Sequence, residues 1–186
     1  PLNSDGSIID MLVLYNTETY TQFGESNSTT EWIDEAVEST NASLRNSGVN
    51  LRLDLVHKQL VNYTRIDNAT DLDNLQDENN SLGMTARAIR DQYHADVVLL
   101  ITDNRQGGRN NLLLSIDSPE AADARWGVGN AGGTSVFVHE FGHTMGIAHD
   151  GSCPGDDCSG STCVDAGGLS LCQSIFPYAH GYSGGN

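Results

Sequence analysis

The chain has few basic residues for its length. Its 186 residues include 9 Lys and Arg against 25 Asp and Glu, which gives a formal net charge of −16. Proteins that bind nucleic acid neutralise its phosphates with Lys and Arg, so a nucleic-acid partner is disfavoured. The same imbalance argues against binding to anionic membrane surfaces. The acidic residues are spread along the chain, which favours a role in solvation, with calcium binding by a few of them as the alternative.

Long apolar runs are also missing. No run approaches the roughly 18 residues of a membrane-spanning helix, so we expect no membrane span. The chain starts at Pro1, with neither an initiator Met nor a signal peptide. A mature form trimmed from a secreted precursor explains this start, and a start chosen for expression is the alternative. We therefore expect a secreted, extracellular protein.

Cysteine is confined to one short stretch near the end of the chain. An even number of cysteines in a loop rich in Gly, Ser and Asp predicts two disulfides and an oxidising compartment. A zinc site formed by these cysteines is the alternative, but their spacing lacks the C-x2-C pair that is typical of cysteine zinc sites. Three pairings are possible, and we favour a nested arrangement of Cys153–Cys172 around Cys158–Cys163. The four cysteines are Cys153, Cys158, Cys163 and Cys172.

The histidines, by contrast, are concentrated. Three of the six fall between His139 and His149, in the pattern H-E-x-x-H-x-x-G-x-x-H-D. On a helix, His139 and His143 are about 40° apart around the axis and about 6 Å apart along it. Both imidazoles can therefore hold one metal ion from one face. Glu140 is placed to take a proton from a water on that metal.

A third ligand requires the helix to end. A continuing helix would carry His149 round to another face, about 9 Å beyond His143. Gly146 adopts positive φ at little cost and can end the helix there, which lets His149 fold back toward the metal. Three protein ligands leave one open position on a tetrahedral zinc ion, the arrangement of a catalytic site.

This stretch resembles the zinc signature of the metzincin metallopeptidases. The residue after the third histidine is Asp150. An Asp at this position resembles the adamalysin/reprolysin type and the reprolysin-like secreted peptidases of bacteria. The resemblance implies that His139, His143 and His149 are the zinc ligands and Glu140 the general base. It implies a structural role for Asp150.

The resemblance also implies an α/β (α+β) metzincin-like fold. We expect a twisted mixed sheet of about five strands with an antiparallel edge strand, two long helices and the zinc-binding helix. A small, irregular, disulfide-bearing lower subdomain follows. Residues 1–186 would form a single catalytic domain, with an upper subdomain at 1–147 and a lower one at 148–186.

Apolar periodicity places most of the expected elements. A buried strand is predicted at 8–15, an amphipathic helix from the capping box Ser28–Glu31 to Gly48, and a half-buried strand from Val49. Residues 62–80 are polar and predict a loop. The remaining expectations are a helix at 81–93, a strand at 96–101, a loop at 102–111, a short strand at 112–116 and the zinc helix with Thr134 as its N-cap.

The substrate site is expected along the edge strand, which we place near Arg125–Asn130. An extended peptide could add there as a further strand, so the expected partners are protein or peptide substrates. We also expect a monomer whose precursor carries an inhibitory propeptide.

One part of the family pattern is missing. Metzincins carry a methionine turn beneath the zinc, downstream of the third histidine, but the methionines here are Met11, Met84 and Met145. Three explanations are open: a chain truncated before that turn, a deliberately shortened one, or an enzyme without the turn. We favour truncation.

The resulting prediction is a secreted zinc endopeptidase that uses metal-activated water with Glu140 as its general base. A zinc hydrolase acting on another amide is one alternative. A catalytically inactive metzincin-like binding or adhesion module is the other, although such modules typically lose the glutamate or a ligand, and all are present here. No G-x-S-x-G motif occurs, which disfavours a serine nucleophile.

Overall fold

The structure, a computed structural model, describes residues 6–103, 108–110 and 125–146. Ten elements follow one another in these ranges. In chain order they are β1 (Ser7–Asn16), α1 (Thr17–Gln22), α2 (Ser28–Asn46), β2 (Leu51–Val61), α3 (Asn68–Gln76), α4 (Ser81–Tyr93), β3 (Val97–Thr102), β4 (Arg109–Asn110), β5 (Trp126–Asn130) and α5 (Thr134–Thr144).

The five strands form one mixed sheet in the order β2-β1-β3-β5-β4. β1 pairs in parallel with β2 and β3, and β3 pairs in parallel with β5. β4 is antiparallel to β5 and is the edge strand among the described residues. The predicted five-stranded mixed sheet with an antiparallel edge strand is therefore confirmed.

The position predicted for that edge strand is wrong. The sequence predicts the edge at Arg125–Asn130, but β5 lies inside the sheet, between β3 and β4. The antiparallel edge is Arg109–Asn110, within the segment 102–111 for which the sequence predicts a loop. All five residues of β5 are buried, but alternating glycines remove the apolar pattern by which a sequence reveals a buried strand.

Apolar side chains on both faces of β1 explain its place in the interior of the sheet. Met11 and Val13 pack into the cluster formed with α2 and α5, whereas Leu12 and Leu14 pack into the cluster formed with α3 and α4. Successive side chains of a strand point to opposite faces, so an unbroken apolar run has a core on each side. Helices therefore cover both faces of the sheet. None of the described helices is long and apolar enough to cross a membrane.

Residues 62–80 also differ from the prediction, because a helix, α3, occupies Asn68–Gln76. Asp67 caps it by accepting hydrogen bonds from the backbone N–H groups of Ala69 and Thr70. Leu72 and Leu75 are buried against the sheet, and so is the carboxylate Asp71. Asp71 occupies a buried position of the helix, where an apolar residue would be expected. The apolar residues therefore do not recur at helical spacing, and the sequence predicts a loop.

The helix starts are displaced from their expected caps. α2 begins at Ser28 with Asn27 as its N-cap, and the Asn27 side chain makes no capping hydrogen bond, so the capping box expected from Ser28 to Glu31 does not form. α5 begins at Thr134, the residue expected as N-cap, and Gly133 takes that position. α4 spans the predicted residues, with the Asn80 side chain accepting from the Leu82 N–H.

A buried polar cluster joins α3 to the end of β3. The Asp71 side chain is 0% exposed and accepts a 2.6 Å hydrogen bond from the Tyr63 hydroxyl. Arg65 lies 3.6 Å from Asp71 and donates a 2.7 Å hydrogen bond to Asp103. Burial, followed by the bond to Asp71, raises the pKa of Tyr63 to about 12. Asp103 directly follows β3, so the cluster fixes the chain where it leaves the sheet toward the edge strand.

Replacing Asp71 with Ala is expected to lower the free energy of unfolding by about 3–5 kcal/mol, because Arg65 and Tyr63 lose a buried partner. In a domain of this size that corresponds to a fall in Tm of roughly 6–20 °C. Calorimetry of the two proteins measures it. The control is Glu38→Ala, which removes an exposed pair with Arg45 and should cost about 1 kcal/mol at most. Equal losses in both variants would contradict this role for the cluster.

Candidate active site

Helix α5 presents His139 and His143 on one face. Their Nε2 atoms lie 3.1 Å apart, and their rings meet edge to face at 84°. Zinc–nitrogen bonds are about 2.0–2.1 Å long, so two nitrogen ligands of a tetrahedral zinc ion lie about 3.3 Å apart. The histidine pair therefore has the spacing and the donor atoms that a zinc ion needs from two of its ligands.

Glu140 lies beside this pair and is buried, with 3% of its surface exposed. Its Oε2 atom has no hydrogen-bond partner among the described residues. Burial raises the pKa of Glu140 to about 7, because a carboxylate loses hydration when it is removed from water. A cation held by the neighbouring imidazoles would favour the charged form and oppose that rise.

The carboxyl of Glu140 borders an open pocket of about 380 Å³. Gly108, Ser135, Val136 and His139 line the pocket together with Glu140. A Cβ atom at residue 108 would lie 2.5 Å from both Cγ and Oε1 of Glu140. Only glycine lets the backbone before β4 pass this close to the carboxyl group.

The edge strand β4 is also joined to helix α5 by hydrogen bonds. The Asn110 side chain on β4 donates from Nδ2 to the Glu140 backbone carbonyl at 3.0 Å and to the Thr144 hydroxyl. The sequence predicts no role for Gly108 or Asn110. Neither belongs to a periodic pattern, and their contacts depend on how the sheet brings β4 to α5.

Helix α5 ends where the sequence predicts. Gly146 has a φ of 78°, and its N–H donates to the His143 carbonyl at 2.9 Å. Positive φ favours glycine and turns the chain out of the helix.

Several predicted site residues lie outside the described residues, and their roles stay predictions. They are the third expected ligand His149, its neighbour Asp150, and Cys153, Cys158, Cys163 and Cys172. The boundary expected between the two subdomains at 147–148 lies there too. Within 6–103, 108–110 and 125–146, no three His, Cys, Asp or Glu side chains are grouped to hold a metal ion, so neither a calcium site nor a complete zinc site is seen there.

Comparison with known proteins agrees with the geometry of α5. A family described as metallo-peptidase family M12 matches residues 5–175. A peptidyl-Asp metalloendopeptidase of Pseudomonas aeruginosa is 31% identical over 156 residues, which cover 76% of this chain and 25% of the relative. The chain thus spans about a quarter of that relative's length.

A solved structure described as "Structure of a chaperone-substrate complex" contains a chain that shares the fold. The TM-score is 0.66 at 22% sequence identity, over 80% of this chain and 25% of the other. At this identity the likeness concerns the fold alone. The family match, which covers most of the chain and includes the histidine pair with its buried carboxylate, confirms the predicted resemblance: this chain belongs to metallo-peptidase family M12, a family of metal-dependent peptidases.

Proposed function

We propose that this chain is the catalytic domain of a secreted zinc endopeptidase. The observation that carries the proposal is the arrangement on α5: the Nε2 atoms of His139 and His143 lie 3.1 Å apart, and His139 lines one pocket together with the buried carboxyl group of Glu140. His139 and His143 would hold the ion, with His149 as the third ligand. When bound, zinc lowers the pKa of a water molecule and polarises a carbonyl oxygen.

Glu140 moves the proton in this proposal. Its carboxylate accepts a proton from the attacking water and returns it to the nitrogen of the leaving amine, so one peptide bond and one water give an acid and an amine. The unpartnered Oε2 atom supports this role, because no described side chain competes for the proton. The backbone at Gly108 lies close to the Glu140 carboxyl group and limits where it can turn.

The substrate would bind along β4. Among the described strands β4 pairs only with β5, so its outer edge is the place where an extended peptide can add by main-chain hydrogen bonds. The cysteine-rich segment after His149 supports a location in an oxidising, extracellular medium. Because the Pseudomonas relative is described as a peptidyl-Asp metalloendopeptidase, peptides that contain Asp belong in the substrate library.

Replacing Glu140 with Ala is expected to lower peptide hydrolysis by about 10²–10⁴-fold, the usual contribution of a general base. Zinc content, measured by mass spectrometry of the purified protein, should be unchanged because all three proposed histidine ligands remain. A chelator should abolish wild-type cleavage, and added zinc should restore it. If Glu140→Ala still cleaves at the wild-type rate, the mechanism is wrong. If the zinc-loaded wild-type chain cleaves nothing, the binding-module alternative is favoured.

Replacing Gly108 with Ala is expected to lower kcat by at least about tenfold, because the new methyl group displaces the Glu140 carboxyl and small misplacements are costly in catalysis. Tm should fall as well, because the methyl group would also lie 2.5 Å from Cγ of Glu140, near the root of a buried side chain. The matched control is Gly133→Ala, where a Cβ atom would meet nothing closer than 3.6 Å. A loss of Tm in place of a loss of kcat would show that the backbone moves instead of Glu140.

A further inference from the structure

Asn110 links the edge strand to the helical turn that carries Glu140. From β4 its Nδ2 donates to the main-chain oxygen of Glu140 at 3.0 Å and also to the Thr144 hydroxyl. Thr144 in turn donates to the same oxygen at 3.4 Å. One amide group on the edge strand thus holds two points of α5, one of which belongs to the residue proposed as the general base.

The sheet makes room for this side chain. Asn110 is the register partner of Gly127 on β5. A Cβ atom at residue 127 would lie 2.9 Å from Asn110 Nδ2 and 3.2 Å from its Cγ. The amide therefore crosses the glycine on its way to α5, and a larger residue at 127 would push it aside.

The acceptor half of the same amide is not satisfied. Asn110 Oδ1 is buried and has no hydrogen-bond partner among the described residues. The described side-chain hydrogen bonds of Asn110 are therefore all made by its donor group, and both of them end on α5.

Asn41 provides a contrast within the same protein. It also ties a helix to a strand, but it uses both halves of its amide, donating to the Leu53 carbonyl at 3.0 Å and accepting from the Leu53 N–H at 2.8 Å. Asn41 pairs both its donor and its acceptor group, whereas among the described residues only the donor group of Asn110 is paired. Neither bond of Asn41 reaches the candidate site, but both bonds of Asn110 end on the turn of α5 that begins at Glu140.

We propose that Asn110 is a positioning residue, which sets the distance between the substrate-binding edge strand β4 and the turn of α5 that carries Glu140. This inference rests on the proposed function. The position of a peptide paired with β4 is set by that strand, and the position of the Glu140 carboxyl group is set by α5. The bonds from Nδ2 join the two, so they determine how far the scissile peptide lies from the carboxylate.

The test compares Asn110→Ala with the matched variant Asn41→Ala in the zinc-loaded full chain. Asn110→Ala should lower kcat at least about tenfold, because misplacement of reacting groups by even 1 Å is costly. KM should change less than about threefold, since the main chain of β4 remains paired with β5. Asn41→Ala should lower Tm by several degrees, through its two lost buried hydrogen bonds, and leave kcat within about twofold. If both variants lower Tm alone, the inference is overturned.

Hydrogen–deuterium exchange gives a second readout that does not depend on activity. In Asn110→Ala, amides of residues 108–110 and 140–146 should exchange faster than in the wild type, whereas those of β1 should not change. Unchanged exchange at 108–110 would overturn the inference. If the wild-type chain cleaves no peptide, the proposed function fails, and exchange still decides whether Asn110 holds β4 against α5.

Thr144 offers a second pair of variants in case Asn110→Ala does not fold. Thr144→Val removes one of the two acceptors of Nδ2 and should lower kcat about two- to fivefold, in the same direction as Asn110→Ala. The conservative Thr144→Ser keeps the hydroxyl and should restore kcat relative to Thr144→Val. Equal kcat in Thr144→Val and wild type would argue against a positioning role for this bond network.

Discussion

The close approach of helix α5 to the edge of the sheet is the constraint on which the candidate site depends. A Cβ atom at residue 108 would meet the Glu140 side chain, and one at residue 127 would meet the Asn110 amide. Both positions are glycine, so the helix, the edge strand and the interior strand β5 come together with almost no space between them. The pocket lies between Gly108 and α5, and His139 and Glu140 both line it.

The parts of the fold that the sequence predicts are those whose signal is local. β1 appears as an apolar run with one charge, Asp10, β3 as an unbroken apolar run, and α4 as apolar residues at helical spacing. Their predicted positions are correct to within about one residue. The signal that predicts the histidine pair is equally local, because residues i and i+4 of a helix share a face wherever that helix lies. The positive φ at Gly146 follows from the need to leave the helix soon after His143.

The parts that the sequence does not predict depend on long-range packing. α3 carries a buried acid, Asp71, that is compatible with the interior only because Arg65 and Tyr63 come from outside the helix to meet it. β4 contains Arg109 and Asn110, neither of which indicates a strand, and it forms only because β5 offers an edge. Burial of the Glu140 carboxyl likewise depends on Gly108, more than thirty residues earlier in the chain.

The pairing of β1 has a consequence for where this protein can move. β1 pairs with a strand on each side and packs into an apolar cluster on each face. Among the described strands, β4 pairs only with β5. Local opening costs least where few buried contacts must be broken, so local motion is concentrated beside α5 and spares β1.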